Sequence, residues 1–158
     1  DIGNETILAK VLLDKDSPFL KSILVNRGSQ SGIKKGMPVV DGNYLVGRVV
    51  EVNYLSSRIL LLNDLNSRIP VSIEKSASQA IITGYGEKEP KLEYLPELFD
   101  AENGKTVFTS GKDGIFPEGL PIGKVIEKDK GVFVKLFSDP NQLSFVSILT
   151  PDNSGDGF

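Results

Sequence analysis

Ser31 and Lys34 are the residues whose types and spacing best fit a nucleophilic active site. A serine followed three positions later by a lysine marks penicillin-recognising acyltransferases, in which the lysine takes the serine proton one helical turn away. Here Gly32 and Gly36 flank the pair and Pro38 follows, and glycine and proline disfavour the required helix. The sequence therefore argues against this chemistry.

Two glycine-containing segments could bind phosphate groups. Gly104-Lys105-Thr106 resembles the end of a phosphate-binding loop, but the glycine expected five residues earlier is Phe99. The same tripeptide also lacks the order Lys-Thr-Gly that accompanies the acyltransferase serine. Gly84-Tyr85-Gly86 has no third glycine and precedes no helical pattern, which indicates a tight turn.

Acidic residues offer two further kinds of site. Residues 152–157 match the first six positions of a calcium loop, but no residue of this sequence stands at the twelfth, and the segment 151–158 is predicted to be a flexible tail. The densest acidic stretch is typical of a solvated face, although paired carboxylates could serve a hydrolase. Its members are Glu87, Glu89, Glu93, Glu97, Asp100 and Glu102.

Composition narrows the function further. The 158 residues contain no histidine and no cysteine, so thiol chemistry, imidazole catalysis and the usual zinc sites are not expected. We therefore predict no catalytic residue, no metal and no cofactor. A net charge of −3 gives nucleic-acid binding no electrostatic support. No apolar run approaches the ~20 residues of a membrane span, and the start at Asp1 predicts a fragment whose anchor lies outside it.

The elements that would position any site are short strands. Alternating or continuous apolar runs bounded by glycine, proline and asparagine predict twelve strands and an all-β barrel or sandwich. A hairpin is predicted at Asp41-Gly42-Asn43. The only helical candidates are 96–101 and 141–144. The strands are predicted at 7–13, 22–26, 37–40, 45–52, 58–63, 68–73, 80–83, 91–95, 106–109, 122–127, 132–137 and 145–149.

One motif occurs twice. Gly32 to Pro38 returns, with one residue added, as Gly114 to Pro121, and a similar strand follows each copy, at 45–51 and 121–127. A Gly-x-x-x-Gly-hydrophobic-Pro turn leading into an alternating strand is one supersecondary unit. Two copies predict two related β-modules, so that function lies on surfaces and not in a deep cleft.

These motifs resemble those of the MreC family of bacterial cell-shape-determining proteins. The resemblance covers about residues 7–149 and is carried by five segments. They are 23–29, 32–40, 45–49, 58–64 and the string Thr109-Ser110-Gly111 followed by 114–125. It implies two small six-stranded barrels, remotely similar to the chymotrypsin fold but without its catalytic residues. The predicted boundary places about 1–66 with 128–150 in one barrel and 67–127 in the other, and it leaves open whether the middle segment is inserted between strands of the first barrel or the two halves are contiguous.

The resemblance also implies a role. Family members have one membrane helix and a coiled coil, both absent here, and act on the extracytoplasmic side of the plasma membrane. They are scaffolds of the elongation machinery that contact a penicillin-binding transpeptidase and the proteins MreD, MreB and RodA, and self-associate. A non-catalytic scaffold is thus the leading hypothesis, and a cell-wall hydrolase or a glycan-binding module the alternatives.

Two groups of residues follow from this hypothesis. The first is expected to determine the fold through turns, close backbone approach and strand starts. It comprises Gly28, Gly32, Gly36, Pro38, Gly47, Gly111, Gly114, Phe116, Pro117, Gly119, Pro121 and Gly123. The second could anchor a partner, either directly or beside an open barrel edge that accepts a strand. It comprises Tyr44, Tyr54, Leu55 and Phe116.

Overall fold

Twelve β-strands make up almost all the regular structure. The computed structural model describes residues 5–13, 17–75, 77–97, 99, 103–129 and 131–151. The strands are β1 Glu5–Leu12, β2 Ser22–Val25, β3 Pro38–Asp41, β4 Tyr44–Val52, β5 Ser57–Leu61, β6 Arg68–Ile73, β7 Ser78–Tyr85, β8 Lys88–Glu93, β9 Thr106–Thr109, β10 Pro121–Lys128, β11 Gly131–Leu136 and β12 Phe145–Thr150. Each overlaps a predicted strand, and β3 and β4 form the predicted hairpin, in which Asp41 pairs with Tyr44.

The predicted helices are wrong where the structure describes them. Residues 141–144 form a turn and a bend, and a turn hydrogen bond joins Phe99 N to Pro96 O at 3.0 Å. Residues 98, 100 and 101 lie outside the described residues. Within those ranges the only helix is a single 3₁₀ turn at Ser29–Ser31. Such short segments satisfy their few backbone groups by turns, because a helix nucleus is costly.

The strands close into two antiparallel barrels of six strands each. The first barrel has the order β1-β12-β3-β4-β5-β2 and the second the order β10-β11-β8-β7-β6-β9. All strands of the second barrel lie between β5 and β12 along the chain. The predicted division at residue 128 is wrong by one strand, because β11 pairs with β10 and β8 and thus belongs to the second barrel.

The two barrels have the same strand arrangement, shifted by one strand along the chain. Neighbour for neighbour, β1 to β5 correspond to β7 to β11, and β12, the last strand of the first barrel, corresponds to β6, the first of the second. The registers agree: Val39 pairs with Gly47 in the first barrel, and Val107 pairs with Gly123 in the second. The barrels are therefore cyclic permutations of one architecture.

This correspondence shows that the two copies of the sequence motif do not occupy equivalent places in the two barrels. The strands β4 and β10, which follow the two motif copies, are equivalent, but the turns before them are not. In the first barrel Gly36 N donates to Val49 O at 2.8 Å, and in the second Gly104 N donates to Val125 O at 2.9 Å. The structural counterpart of Gly36 is thus Gly104, and Gly119 belongs to a loop that enters β10 directly.

Period-two alternation gives each barrel a core and joins the two. Val39, Val46 and Ile148 face the core of the first barrel. The neighbouring residues Val40, Leu45 and Leu149 lie on its outer face and pack in the core of the second barrel. One outer face of the first barrel therefore completes the second core.

The turn between β5 and β6 is held from both barrels. Asp64 is buried, and its Oδ2 accepts a hydrogen bond from Lys21 N while its Oδ1 accepts one from Asn66 N, both at 2.8 Å. On the other side a Cβ on Gly84 would lie 1.8 Å from Asp64 O. Only glycine fits at this contact, so β7 lies directly against the turn. The turn is therefore packed closely against both barrels.

Candidate partner-binding surfaces

The glycines predicted to determine the fold fall into two structural groups. Five adopt positive φ: Gly32, Gly36, Gly111, Gly114 and Gly119. The other three, Gly28, Gly47 and Gly123, have no room for a side chain. A Cβ would lie 2.2 Å from Leu60 O on Gly47 and 2.3 Å from Lys135 O on Gly123, so the two equivalent positions share one constraint.

The prolines of the same group have simpler places. Pro38 and Pro121 are the first residues of β3 and β10, where no ladder N–H is needed. Pro117 accepts a hydrogen bond at its carbonyl oxygen from Thr109 Oγ1, at 2.6 Å. This bond fixes the loop between β9 and β10.

The four candidate partner contacts do not form one surface. Tyr54 and Leu55 are exposed side by side in the β4–β5 turn, at 64% and 60%. Tyr44 lies at the opposite end of the nine-residue β4, which at about 3.3 Å per residue is roughly 25 Å away. There its ring packs on Phe137, with centroids 4.9 Å apart.

Phe116 is the fourth candidate, and its assignment as a partner contact is wrong. Its side chain is only 3% exposed and packs in the core of the second barrel with Leu120. The flanking Ile115 is exposed instead. A proline-rich loop gives no periodicity from which burial can be read, which is why the sequence did not separate these two neighbours.

Among the described strands, none is a free edge strand of the kind expected for a partner, since both barrels are closed. Closure gives every strand a neighbour on each side and leaves no strand to which a partner strand would add along its whole length. Side chains on the outer faces are therefore the main source of contacts.

Sequence reasoning missed one apolar face. Leu8 and Leu12 on β1 and Phe145 on β12 are exposed, whereas Ala9 between them is buried. Lys10 pairs with Phe145, which places these side chains together on the outside of the first barrel. The signal was available, because apolar residues on both faces of β1 break the alternation expected of a half-solvated strand.

The two motif copies meet at a cleft between the barrels. Gly36, Met37 and Pro38 line one side, and Gly114, Ile115 and Pro117 the other, around a volume of about 410 Å³. Lys34 and Lys35 add positive charge at its edge. The motif residues thus shape a surface feature as well as the turns.

The serine–lysine pair does not have the geometry of an acyltransferase. The 3₁₀ turn that contains Ser31 ends at Gly32, whose φ of 84° reverses the chain before Lys34. Lys34 is therefore not one helical turn from Ser31, and no hydrogen bond joins the two. Among the described residues, no group of three or more acidic side chains is arranged to hold a metal ion.

Comparison with known proteins decides the family. The family described as "Rod shape-determining protein MreC, barrel core" matches residues 11–150. The chain belongs to the MreC family. The MreC of Caulobacter vibrioides is 42% identical over 142 residues, which are 89% of this chain and 41% of that protein. The chain thus spans less than half the length of this curated relative.

Solved MreC structures share the fold. The crystal structure of MreC from Pseudomonas aeruginosa has a TM-score of 0.83 at 29% identity and covers 92% of this chain and 99% of that one. A structure described as the major periplasmic domain of the cell shape-determining filament MreC has a TM-score of 0.80 at 23% identity, covering 92% and 98%. A complex between PBP2 and MreC from Helicobacter pylori has a TM-score of 0.67 at 18% identity, covering 92% and 99%. Throughout the described ranges, no helix is long and apolar enough to cross a membrane.

Proposed function

We propose that this chain is a non-catalytic scaffold domain on the extracytoplasmic side of the bacterial plasma membrane, where it binds a penicillin-binding transpeptidase. Membership of the MreC family supports the role in cell shape. The partner is suggested by the Helicobacter pylori complex of MreC with PBP2. The compartment is suggested by the relative that is described as a periplasmic domain.

The observation that carries the proposal is the Tyr54–Leu55 turn. It presents a tyrosine and a leucine to solvent on a backbone that is already fixed: Ser29 N donates to Asn53 O at 2.9 Å, and Gln30 N donates to Tyr54 O at 3.0 Å. An apolar anchor held in place before binding loses little entropy on contact. We therefore place a partner contact here.

Two features support a function by binding. The serine–lysine pair lacks catalytic geometry, and the exposed apolar residues lie on closed barrels whose shape is set by backbone pairing. Self-association is also proposed, in line with the relative described as a filament. Contacts with MreD, MreB and RodA rest on the family resemblance alone, as does the single-pass membrane anchor.

Binding of the purified domain to a purified penicillin-binding transpeptidase from the same bacterium, measured by biolayer interferometry, tests the proposal. Replacing Tyr54 and Leu55 together by Ala should weaken binding by about 30-fold, which corresponds to ~2 kcal/mol for a central anchor. Tyr94→Ala, at an exposed tyrosine of the second barrel, is the control and should leave the affinity unchanged.

The two parts of the proposal fail in different ways. Full affinity in the double variant would remove the turn from the interface. Absence of binding by the unsubstituted domain would refute the scaffold role with this partner class.

A further inference from the structure

The strand β1 pairs with its two neighbours over very different lengths. On one side, all residues from Glu5 to Lys10 pair with β12. On the other side, only Val11 and Leu12 pair with β2. The first barrel is therefore closed at this seam by the last two residues of β1, and the earlier part of the strand has no strand beside it on the β2 side.

The two residues after β2 cover a part of this gap. Asn26 N donates to Lys10 O at 3.1 Å, and Lys10 N donates to Asn26 Oδ1 at 2.8 Å. Arg27 Nε then donates to Leu8 O at 3.0 Å. The chain turns away at Gly28, which lies so close to the backbone of the β4–β5 turn that a Cβ has no room. No described residue continues the seam beyond Leu8 O.

The backbone groups of Thr6 and Leu8 point towards the open side. Val11 N donates to Ser144 O at 2.9 Å, which shows that the odd-numbered residues of β1 direct their N–H and C=O groups towards the β12 side. Because the direction alternates along a strand, Thr6 and Leu8 direct theirs the other way, as Lys10 does. Thr6 N, Thr6 O and Leu8 N make no hydrogen bond to any described residue, and both side chains are exposed. This stretch of β1 is thus a short open strand edge.

The open edge is complementary to itself. Thr6 and Leu8 lie symmetrically about Ile7, and two residues that form a hydrogen-bonded antiparallel pair exchange both of their N–H···O=C bonds. Thr6 opposite Leu8 of a second copy, and Leu8 opposite Thr6 of that copy, would form two such pairs about a two-fold axis at Ile7. The two Leu8 side chains would then be diagonal neighbours on the outer face, where each is 58% exposed in the single chain.

We propose that β1 pairs with β1 of a second copy of this chain, antiparallel and centred on Ile7. The inference rests on the self-association included in the proposed function and assigns a surface to it. A second copy fits better than an unrelated strand because the open groups are placed symmetrically about one residue. Pairing competes with the Arg27–Leu8 hydrogen bond, and charged side chains at a strand edge limit this kind of association, so the dimer is weak.

Sedimentation equilibrium of the 158-residue domain tests the pairing. We expect a monomer–dimer equilibrium with a dissociation constant of about 0.1–1 mM, as for a small interface. Thr6→Pro removes a donor that faces the open edge and no hydrogen bond to β12. It should weaken the dimer at least about tenfold and leave the melting temperature within about 3 °C. The matched control Thr6→Val keeps the N–H group and should leave the dissociation constant unchanged.

Arg27→Ala should act in the opposite direction. Because it frees Leu8 O for the second copy, it should strengthen the dimer by about threefold, the value of one modest hydrogen bond. An arginine that only stabilised the monomer would give no such increase.

Disulfide cross-linking tests the register. The chain contains no cysteine, so introduced thiols react only with one another. Thr6→Cys mixed with ¹⁵N-labelled Leu8→Cys should give mixed dimers on mild oxidation, recognised by mass, because the two positions lie opposite each other. Thr6→Cys mixed with labelled Leu12→Cys should give few, since position 12 lies about 13 Å further along the strand.

The possible failures are distinguishable. A domain that stays monomeric at about 1 mM would refute both the pairing and the self-association of this domain. A dimer that is unchanged in Thr6→Pro, or that does not cross-link between positions 6 and 8, would refute the β1 surface and leave self-association standing. If Thr6→Pro lowers the melting temperature by more than the stated amount, Arg27→Ala and the cross-links decide. Transpeptidase binding is tested separately at the Tyr54–Leu55 turn and is not affected by these outcomes.

Discussion

The core of the first barrel is formed by its own residues, whereas the core of the second barrel also includes residues of the first. The core of the first barrel is built by its own strands with Ile33 and Met37. The core of the second barrel includes Val40, Leu45 and Leu149, which belong to the outer face of the first. The two barrels thus have the same strand arrangement, but only the second depends on the other barrel for part of its core. The reason is that an outer face of the first barrel is buried against the second.

The strongest test of the shared arrangement uses the equivalent glycines Gly47 and Gly123. Valine at either should cost ~4 kcal/mol or more, because the clash is with a backbone oxygen of the neighbouring strand and no rotamer relieves it. Urea unfolding measures both losses. The control is Gly42→Ala in the open β3–β4 turn, where only the positive φ of 62° opposes a side chain and ~1 kcal/mol is expected. If Gly123→Val left the free energy of unfolding unchanged, Gly123 and Gly47 would not be equivalent positions.

The difference in independence is tested by a matched pair of leucines. Leu45 and Leu61 both lie in the first barrel and are buried, but Leu45 packs in the second core and Leu61 in the first. Alanine at either should cost about 3 kcal/mol. Hydrogen exchange should show lost protection mainly in β6–β11 for Leu45→Ala and mainly in β1–β5 and β12 for Leu61→Ala. Identical exchange patterns would show that the cores unfold as one.

The smallest effect is expected in the loop before β10, where Gly119 is not equivalent to Gly36 of the first barrel. Gly119 has a φ of 92° but open space around it, so Gly119→Val should cost about 1–2 kcal/mol through backbone strain alone. Gly104→Val, at a φ of 92° and likewise open, should cost a similar amount. Thermal unfolding compares them, and an unchanged melting temperature for Gly119→Val would contradict the strain argument.

Local sequence patterns were enough to predict every strand, whereas the two six-stranded barrels were expected from the resemblance to the MreC family. The alternation of Ile69, Val71 and Ile73 indicates which face of the strand is buried, and Gly42 indicates a turn. Alternation does not report which strand lies alongside, so β11 was assigned to the wrong barrel. The apparent repeat misled for the same reason, since Gly119 and Gly36 have the same local geometry but lie at different places in their barrels.

The exposed apolar residues were harder to predict. The exposure of Tyr54 and Leu55 was predicted correctly, because a turn exposes both. Phe116 was assigned to the surface although it is buried, and Leu8 and Phe145 were overlooked because their proximity depends on pairing between the two ends of the chain. The open stretch of the β1 edge depends on where the pairing with β2 ends, which no local pattern encodes.

The pairing of β1 with β12 has a consequence for how the molecule forms. Glu5 pairs with Thr150 and Lys10 with Phe145, so the first barrel is completed by the last of its six strands to be synthesised. The second barrel is contiguous in sequence, and all its strands are synthesised before β12. Part of its core is nevertheless incomplete until Leu149 has been added. Closing so long a loop is slow, and β1 must remain unpaired on that side until β12 has been synthesised. The apolar side chains of Leu8 and Leu12 therefore lie on a strand that is paired on one side only during this interval.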